Sequence, residues 1–148
     1  MKSSFLIVAD RGNLKAFRVE KVPADRPPRV QLVQAVSLAD ARSKISEINT
    51  DMGGRFPAGS HTNGSGDRHY EIEGNRRSAR ELADLITSIL KDEHPDNWSF
   101  AAPAEINQAI LDQLGAGLRK QVVENVQRDL VNLSPNDLLG HFANVRAA

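Results

Sequence analysis

The segment 5-FLIVADRGNLKAFRVEK-21 sets the fold class, because it encodes two adjacent strands and the turn between them. Phe5 to Ala9 is apolar throughout, as in a buried strand. Leu14 to Lys21 alternates apolar and polar residues, as in a half-exposed strand. Arg11-Gly12-Asn13 has the composition of a turn. The segment therefore predicts an antiparallel hairpin.

The rest of the chain alternates strand and helix patterns. The further predicted elements are a strand at Val30–Val36, a short helix at Leu38–Ile48, an amphipathic helix from Arg76 to about Asp92, a strand at Asn97–Ala102, a helix at Glu105–Leu114 and a helix that starts at Ser134-Pro-Asn-Asp137. Gln121–Asp129 is compatible with strand or helix, and Val122-Val123 favours a strand. We therefore predict one α/β domain over residues 1–148, with a mixed sheet of about five strands and about three main helices.

Hydrophobic periodicity also predicts which side chains form the core. The predicted core comprises Leu6, Val8, Phe17, Leu32, Leu82, Ile86, Ile89, Phe100, Ile110, Leu139 and Phe142. Trp98 opens a predicted strand and is expected to be a core anchor.

The composition is that of an ordinary globular protein and excludes some chemistry. Of 148 residues, 40% are hydrophobic and 26% are charged, and there is no cysteine. Disulfides, a thiolate nucleophile and cysteine-ligated zinc are therefore excluded. No apolar run reaches membrane-spanning length, and the short run after Met1 is interrupted by Asp10. We expect a cytoplasmic protein with no membrane partner.

The formal net charge is zero, but the charges are unevenly distributed along the chain. Residues 1–80 carry 14 Lys/Arg and 9 Asp/Glu, a net +5, whereas residues 81–148 carry 5 and 10, a net −5. The folded molecule either presents a basic face or mixes these charges on its surface.

A long polar stretch, 49-NTDMGGRFPAGSHTNGSGDRHY-70, lies near the middle of the chain and contains five glycines. Loops of this length are usually functional or disordered. We expect a mobile loop from about Thr50 to Gly74, between the third strand and the first main helix.

One group of residues in this stretch has the composition of a metal site. On an extended backbone, Asp67, His69 and Glu71 would project to one side, where His61 could join them. Such a group would support a metal-dependent hydrolase. The simpler interpretation is a polar loop with scattered titratable groups, because short triplets of this kind are common by chance. We therefore predict no metal and no cofactor.

Arginines cluster where the polar stretch meets the first main helix. They are Arg55, Arg68, Arg76, Arg77 and Arg80. The dipole of a helix that begins at Arg76 disfavours cations in its first turn, so an acidic neighbour or an anionic ligand is expected there. Arginine suits contact with phosphate groups. A solvated, salt-bridged surface is the alternative.

Several short motifs follow one another along nearly the whole chain. They are Leu6-Ile-Val-Ala-Asp10 with Ala16-Phe-Arg18, Asp51-Met-Gly-Gly-Arg-Phe56, Arg68-His69, Phe100-Ala-Ala-Pro103 with Leu118-Arg119, and Asp129-Leu130 with Leu133-Ser-Pro-Asn-Asp-Leu-Leu139. The order of these motifs resembles the bacterial host-attachment protein family, whose members are described as required for attachment to host cells.

That family in turn looks like a relative of the middle domain of archaeal and eukaryotic peptide-chain release factors and Pelota. The resemblance implies an α/β fold whose long loop, in true release factors, carries Gly-Gly-Gln into the peptidyl-transferase centre. Here the corresponding triplet is Gly53-Gly54-Arg55. Because the glutamine is absent, peptide release is not expected, and no catalytic residue is predicted.

Three functional hypotheses follow. The first is a non-enzymatic module that contacts the ribosome or structured RNA through the five arginines, with Gly53, Gly54, His61, Asp67 and His69 in a functional loop. The second is a metal-dependent hydrolase that uses His61, Asp67, His69 and Glu71. The third is an interaction protein that acts in host attachment without nucleic acid.

Overall fold

A computed structural model describes residues 4–20, 28–40 and 67–142, and for residues 67–73 it describes the backbone alone. The strands are β1 Ser4–Ala9, β2 Asn13–Glu20, β3 Arg29–Ser37, β4 Asn97–Ala101 and β5 Val122–Val126. The helices are α1 Asp67–Glu93, α2 Ala104–Gln113, α3 Ala116–Lys120 and α4 Pro135–Leu139. Residues 38–40 are also helical, and the remainder of the short helix predicted to Ile48 lies outside the described residues.

The five strands form one mixed sheet in the order β3-β2-β1-β4-β5. The pairs β1–β2 and β2–β3 are antiparallel, and the pairs β1–β4 and β4–β5 are parallel. The predicted α/β fold with a mixed sheet is therefore confirmed, including the hairpin at the start of the chain. It follows from this topology that β1, β3, β4 and β5 all end at the same edge of the sheet, which we call the carboxyl edge.

Helices α1 and α2 cover one face of the sheet. Their buried side chains include Leu82, Ile86 and Ile110, which pack with residues of β1, β2 and β4 in a single cluster. Trp98 is fully buried in this cluster, as predicted, and its indole Nε1–H donates to the backbone oxygen of Leu118 at 2.9 Å. The tryptophan thereby ties the start of β4 to α3.

The C-terminal segment covers the opposite face. Leu6, Val8, Phe17 and Phe142 are buried there, as predicted, beside Leu138. The start of α4 also agrees with the prediction, since the Ser134 hydroxyl accepts a hydrogen bond from the Asp137 amide at 3.3 Å. This side-chain cap satisfies an amide that the first turn of a helix leaves without an intrahelical partner.

One predicted core residue is wrong, and a second packs against the core but is only partly buried. Leu32 is 49% exposed, because it lies on β3, which is an edge strand of the sheet. Leu139 is half-buried, whereas its neighbour Leu138 is fully buried. Because Leu138 and Leu139 are adjacent and identical, the sequence does not show which of them faces the core. In the structure Leu138 is the more deeply buried of the two.

The first main helix is longer than predicted, because it begins at Asp67 rather than Arg76 and has 27 residues. The part of the predicted loop from 67 to 74 is therefore helical, and the predicted loop boundary at Gly74 is wrong. A Cβ at Gly74 would meet no atom within 4 Å, so this glycine lies at an open position on the helix. The mobility predicted for residues 50–66 concerns residues outside the described part of the chain.

Helix α1 is longer than the strands that it covers. Its 27 residues span roughly 40 Å at 1.5 Å per residue, whereas the five residues of β4 span about 17 Å. Because α1 ends at Glu93 just before β4 begins at Asn97, the end of the helix lies at the start of β4. The part of the helix that contains Arg76 therefore lies toward the carboxyl edge. None of the described helices is long and apolar enough to cross a membrane.

Candidate functional site

Three exposed arginines lie together on α1 near the carboxyl edge. Arg76, Arg77 and Arg80 are exposed, whereas the intervening Ser78 and Ala79 are 7% and 1% exposed. Positions three and four apart are neighbours on a helix surface, so Arg80 adjoins both of the other arginines. Between Gly74 and Arg80 the sequence has no Asp or Glu. We call Arg76, Arg77 and Arg80 the arginine surface.

The carboxylates that follow these arginines along the helix are Glu81 and Asp84. Arg77 Nε lies 3.3 Å from Glu81 Oε1, and the Arg77 side chain remains 69% exposed despite this contact. Asp84 is exposed one turn beyond Arg80, and Arg80 has no ion-pair partner among the residues that the structure describes. Exposed i,i+4 pairs contribute about 0.3–0.5 kcal/mol. An incoming phosphate can therefore displace Glu81 from Arg77 at small cost.

The prediction that the helix dipole disfavours these arginines is wrong. Arg76 is the tenth residue of α1, and the dipole acts mainly within the first turn. The arginines lie instead at mid-helix, where the backbone amides are already bonded within the helix. Any anion bound there would contact side chains and not the end of the helix.

The remaining predicted site residues are not brought to this surface by the described structure. Gly53, Gly54, Arg55 and His61 lie outside the described residues. Arg68 lies in the first turn of α1, and only its backbone is described.

The extended backbone assumed for the metal site is also wrong. Asp67, His69 and Glu71 lie in the first turns of α1, where alternate residues do not share a side. Among the side chains that the structure describes, no group of three His, Cys, Asp or Glu could hold a metal ion.

A crevice of about 520 Å³ lies at the carboxyl edge and was not predicted. It is lined by Asp10, Arg11, Gly12, Asn13, Pro103, Glu105 and Asp129. In open α/β sheets, ligands bind outside the carboxyl ends of parallel strands. The available signal was that Asp10 directly follows the first predicted strand.

Two of the three carboxylates that line this crevice have structural partners. One oxygen of Asp10 accepts from the Gly12 and Asn13 amides at 2.8 and 2.7 Å, which fixes the turn between β1 and β2. Asp129 Oδ1 accepts from the Val131 amide at 3.3 Å. The crevice is therefore an acidic region that disfavours phosphate, and among the described residues the arginine surface is better suited to a phosphate group.

A buried amide pair fixes α2 beside this crevice. Asn107 is fully buried, and its side chain and that of Asn125 each donate to the other at 2.8 Å. Asn107 Nδ2 also lies 3.3 Å from the backbone oxygen of Ala102. These bonds connect α2 to the ends of β4 and β5, so the loops of the carboxyl edge have a rigid base.

Comparison with known structures shows weak similarity to a number of solved structures, including the following three. An archaeal translation termination factor, aRF1, has 12% identity and a TM-score of 0.42 over 86% of this chain and 31% of its own. A type II variant of the Aquifex aeolicus Ppx/GppA phosphatase has 6% identity and a TM-score of 0.42 over 85% and 35%. A second structure of an Aquifex aeolicus PPX-GPPA enzyme has 13% identity and a TM-score of 0.34 over 84% and 35%. The chain thus spans about a third of the length of each.

Sequence comparison identifies the family. None of the curated proteins matches this chain. A family model described as "Protein required for attachment to host cells" matches residues 5–142, which include every described strand except the first residue of β1. The chain therefore belongs to this host-attachment protein family.

Proposed function

We propose that this host-attachment family protein is a non-enzymatic module that binds structured RNA, free or within the ribosome, through Arg76, Arg77 and Arg80. The sequence-based hypothesis adds Arg55 and Arg68 to this contact. The protein does not hydrolyse peptidyl-tRNA, because Gly53-Gly54-Arg55 lacks the glutamine of release factors. A role in attachment is then indirect and acts through translation in the cytoplasm.

The observation that carries the proposal is the arginine surface itself. Three guanidinium groups within two turns of one helix have no carboxylate between them in sequence, and all three residues are exposed. The part of α1 that presents them lies toward the carboxyl edge, and their exposed side chains can be reached by an RNA backbone. Arginine contacts two phosphate oxygens at once and remains charged at all physiological pH values.

The experiment measures how binding depends on salt. A labelled RNA hairpin and purified ribosomes are titrated with the protein between about 50 and about 200 mM salt, because each phosphate contact releases counterions. Replacing Arg76, Arg77 and Arg80 together by Ala should weaken binding and reduce the slope of log K against log salt by about three. Fluorescence anisotropy reports the hairpin, and co-sedimentation reports the ribosome.

A charge-matched control separates a specific surface from net charge. Replacing Arg29, Arg119 and Lys120 by Ala removes the same three charges from exposed positions at the other end of the molecule. This control should keep most of the wild-type affinity and slope. The proposal fails if both variants weaken equally, or if the wild type binds neither RNA nor ribosomes at low salt. The latter result would favour an attachment protein that acts without nucleic acid.

A further inference from the structure

A second cavity lies at the opposite end of α1 from the arginine surface. It is an open groove of about 640 Å³ between the end of α1 and the segment Gly115–Gln121. Its volume is within the range of about 300–1,000 Å³ that is common for small-molecule sites. We call it the α1–α3 groove. It lies about 16 Å along the helix from Arg80, because eleven residues separate Arg80 from Lys91.

The groove combines apolar walls with a few polar groups. Leu90, Pro95 and Leu118 contribute apolar surface, and Lys91, His94 and Gln121 contribute polar side chains. Such a combination is typical of sites that bury a ring and orient it by a small number of polar contacts. The groove contains Lys91 and His94 but no Asp or Glu, so its lining favours an anionic group.

Two glycines leave one wall flat. A Cβ at Gly115 or Gly117 would meet no atom within 4 Å, so the space beside each glycine is open. Both glycines line the groove. A backbone surface without side chains allows a planar ring to approach closely.

The backbone holds His94 at this position at an energetic cost. His94 has a φ of 50°, in the left-handed region, and its amide donates to the Leu90 oxygen at 2.9 Å to end α1. Glycine or asparagine is the usual residue at such a helix end. The neighbouring Glu93 carboxylate is bonded to Arg18 at 2.8 Å and does not line the groove. The imidazole therefore faces a groove with no competing carboxylate in its lining.

We propose that the α1–α3 groove binds a small planar molecule that carries an anionic group. The ring lies between the glycine wall and the apolar side chains, and Lys91 and His94 bind the anionic group. Gln121 donates to or accepts from the ring edge. A nucleotide phosphate and an aromatic carboxylate share this chemistry. The proposal is independent of RNA binding at the arginine surface.

The experiment uses the only tryptophan as a reporter. Trp98 Nε1–H donates to the oxygen of Leu118, a residue of the groove. In a proton–nitrogen NMR spectrum of the full chain, AMP and 1-naphthoate are titrated separately, with adenosine and inorganic phosphate as partial probes. We expect the indole cross-peak and the Gly115 and Gly117 amides to shift with AMP or naphthoate, and adenosine or phosphate alone to bind at least about tenfold more weakly.

Variants test the assigned contacts. Lys91→Ala should lower the affinity for AMP or 1-naphthoate by about tenfold, because a charge-assisted contact is lost. His94→Asn should weaken it while keeping the left-handed backbone, which asparagine tolerates. Gly117→Leu should block the groove without a clash, since its Cβ has open space. Lys120→Ala removes a charge from the same region but not from the lining, and it should bind like the wild type.

The possible outcomes separate the two ligand sources. A shift with AMP alone identifies a nucleotide site, and a shift with naphthoate alone identifies an aromatic carboxylate site. The proposal is overturned if neither probe moves these signals at millimolar concentration. It is also overturned if Gly117→Leu, with an otherwise native spectrum, binds as tightly as the wild type.

Discussion

The two ends of α1 are built from different side chains, although they belong to one continuous helix. Toward Glu93 the helix buries large residues, Ile86, Ile89 and Leu90, against the sheet. Around Arg76, the buried residues among the side chains that the structure describes are the small Ser78 and Ala79, and the arginines are exposed to solvent. Burial of a large aliphatic side chain contributes about 1.5–3 kcal/mol, and burial of an alanine contributes far less.

This difference implies that the residues of α1 that stabilise the fold and the residues that are proposed to bind a ligand lie in different halves of the helix. The C-terminal half of α1 attaches the helix to the fold, and the N-terminal half carries the exposed arginines. Substitutions in the C-terminal half should therefore change the free energy of unfolding. Exposed substitutions in the N-terminal half should change binding, because surface changes usually stay within about 0.5 kcal/mol.

The largest expected effect is at Ile86. Its side chain is fully buried beneath α1, so Ile86→Ala removes apolar contacts and leaves a cavity. We expect the free energy of unfolding to fall by about 2–5 kcal/mol. Urea unfolding followed by circular dichroism measures it. The matched change Arg76→Ala on the same helix should cost less than about 0.5 kcal/mol, and equal losses would remove the distinction between the two ends.

A smaller effect is expected at Ala79, which tests packing at the arginine end. Ala79 is 1% exposed and belongs to the same buried cluster as Leu38, which follows β3 at the carboxyl edge. Ala79→Leu must displace its neighbours, which typically costs about 1–3 kcal/mol. The loss is measured by thermal unfolding. An unchanged or higher Tm would show that this half of α1 is not closely packed.

Much of the fold follows from the sequence because its determinants are local. The hairpin of β1 and β2 is predicted by an apolar run, a turn and an alternating run. The start of α4 is predicted because Ser134 and Asp137 form the cap within four residues. These features depend on neighbours in sequence, so they remain visible without the tertiary structure.

The start of α1 could not be predicted in the same way. Residues 67–74 carry charged residues and a glycine, and they lack the apolar repeat that identified the helix from Ala79 onward. An amphipathic repeat identifies a helix that packs one face against the core, and this part of the sequence carries no such repeat. For the same reason, the extended arrangement expected for Asp67, His69 and Glu71 was wrong.

The candidate site was only partly accessible from sequence. The exposed arginines were identified, because exposed polar positions follow from the helical repeat of Leu82 and Ile86. The α1–α3 groove was not identified from the sequence, because it forms only when folding brings Lys91 and His94 close to Gly117. The positions of residues distant in sequence are set by the topology of β4, α2 and α3.

An intermediate effect is expected for the contact that fixes the end of α1 to β2. Arg18 pairs with Glu93 at 2.8 Å and lies over the Phe5 ring at 5.9 Å. The two side chains are 35% and 26% exposed, so solvent screens the pair. Arg18→Ala should cost about 1 kcal/mol, from the ion pair and the cation–π contact together.

A salt titration divides that loss between its two sources. Glu93→Gln removes only the ion pair, so it should cost less than Arg18→Ala, and its cost should shrink as salt is raised. Denaturant midpoints at low and high salt provide the measurement. A loss that does not depend on salt in either variant would mean that packing against Phe5, and not charge, holds this end of the helix.

The smallest expected effect concerns glycine substitutions at two positions of α1, which should change the free energy of unfolding in opposite directions. His94 has a φ of 50° and therefore occupies a backbone region in which glycine is unstrained. His94→Gly should raise the free energy of unfolding by about 0.5 kcal/mol, because relief of the strain exceeds the added freedom of the unfolded chain. Arg77→Gly, in the interior of the same helix, should lower it by about 0.5–1 kcal/mol. Both values come from urea unfolding at one pH. If His94→Gly also destabilised the protein, the imidazole would have to make contacts that outweigh its backbone strain, and the His94→Asn variant would then lose the same amount.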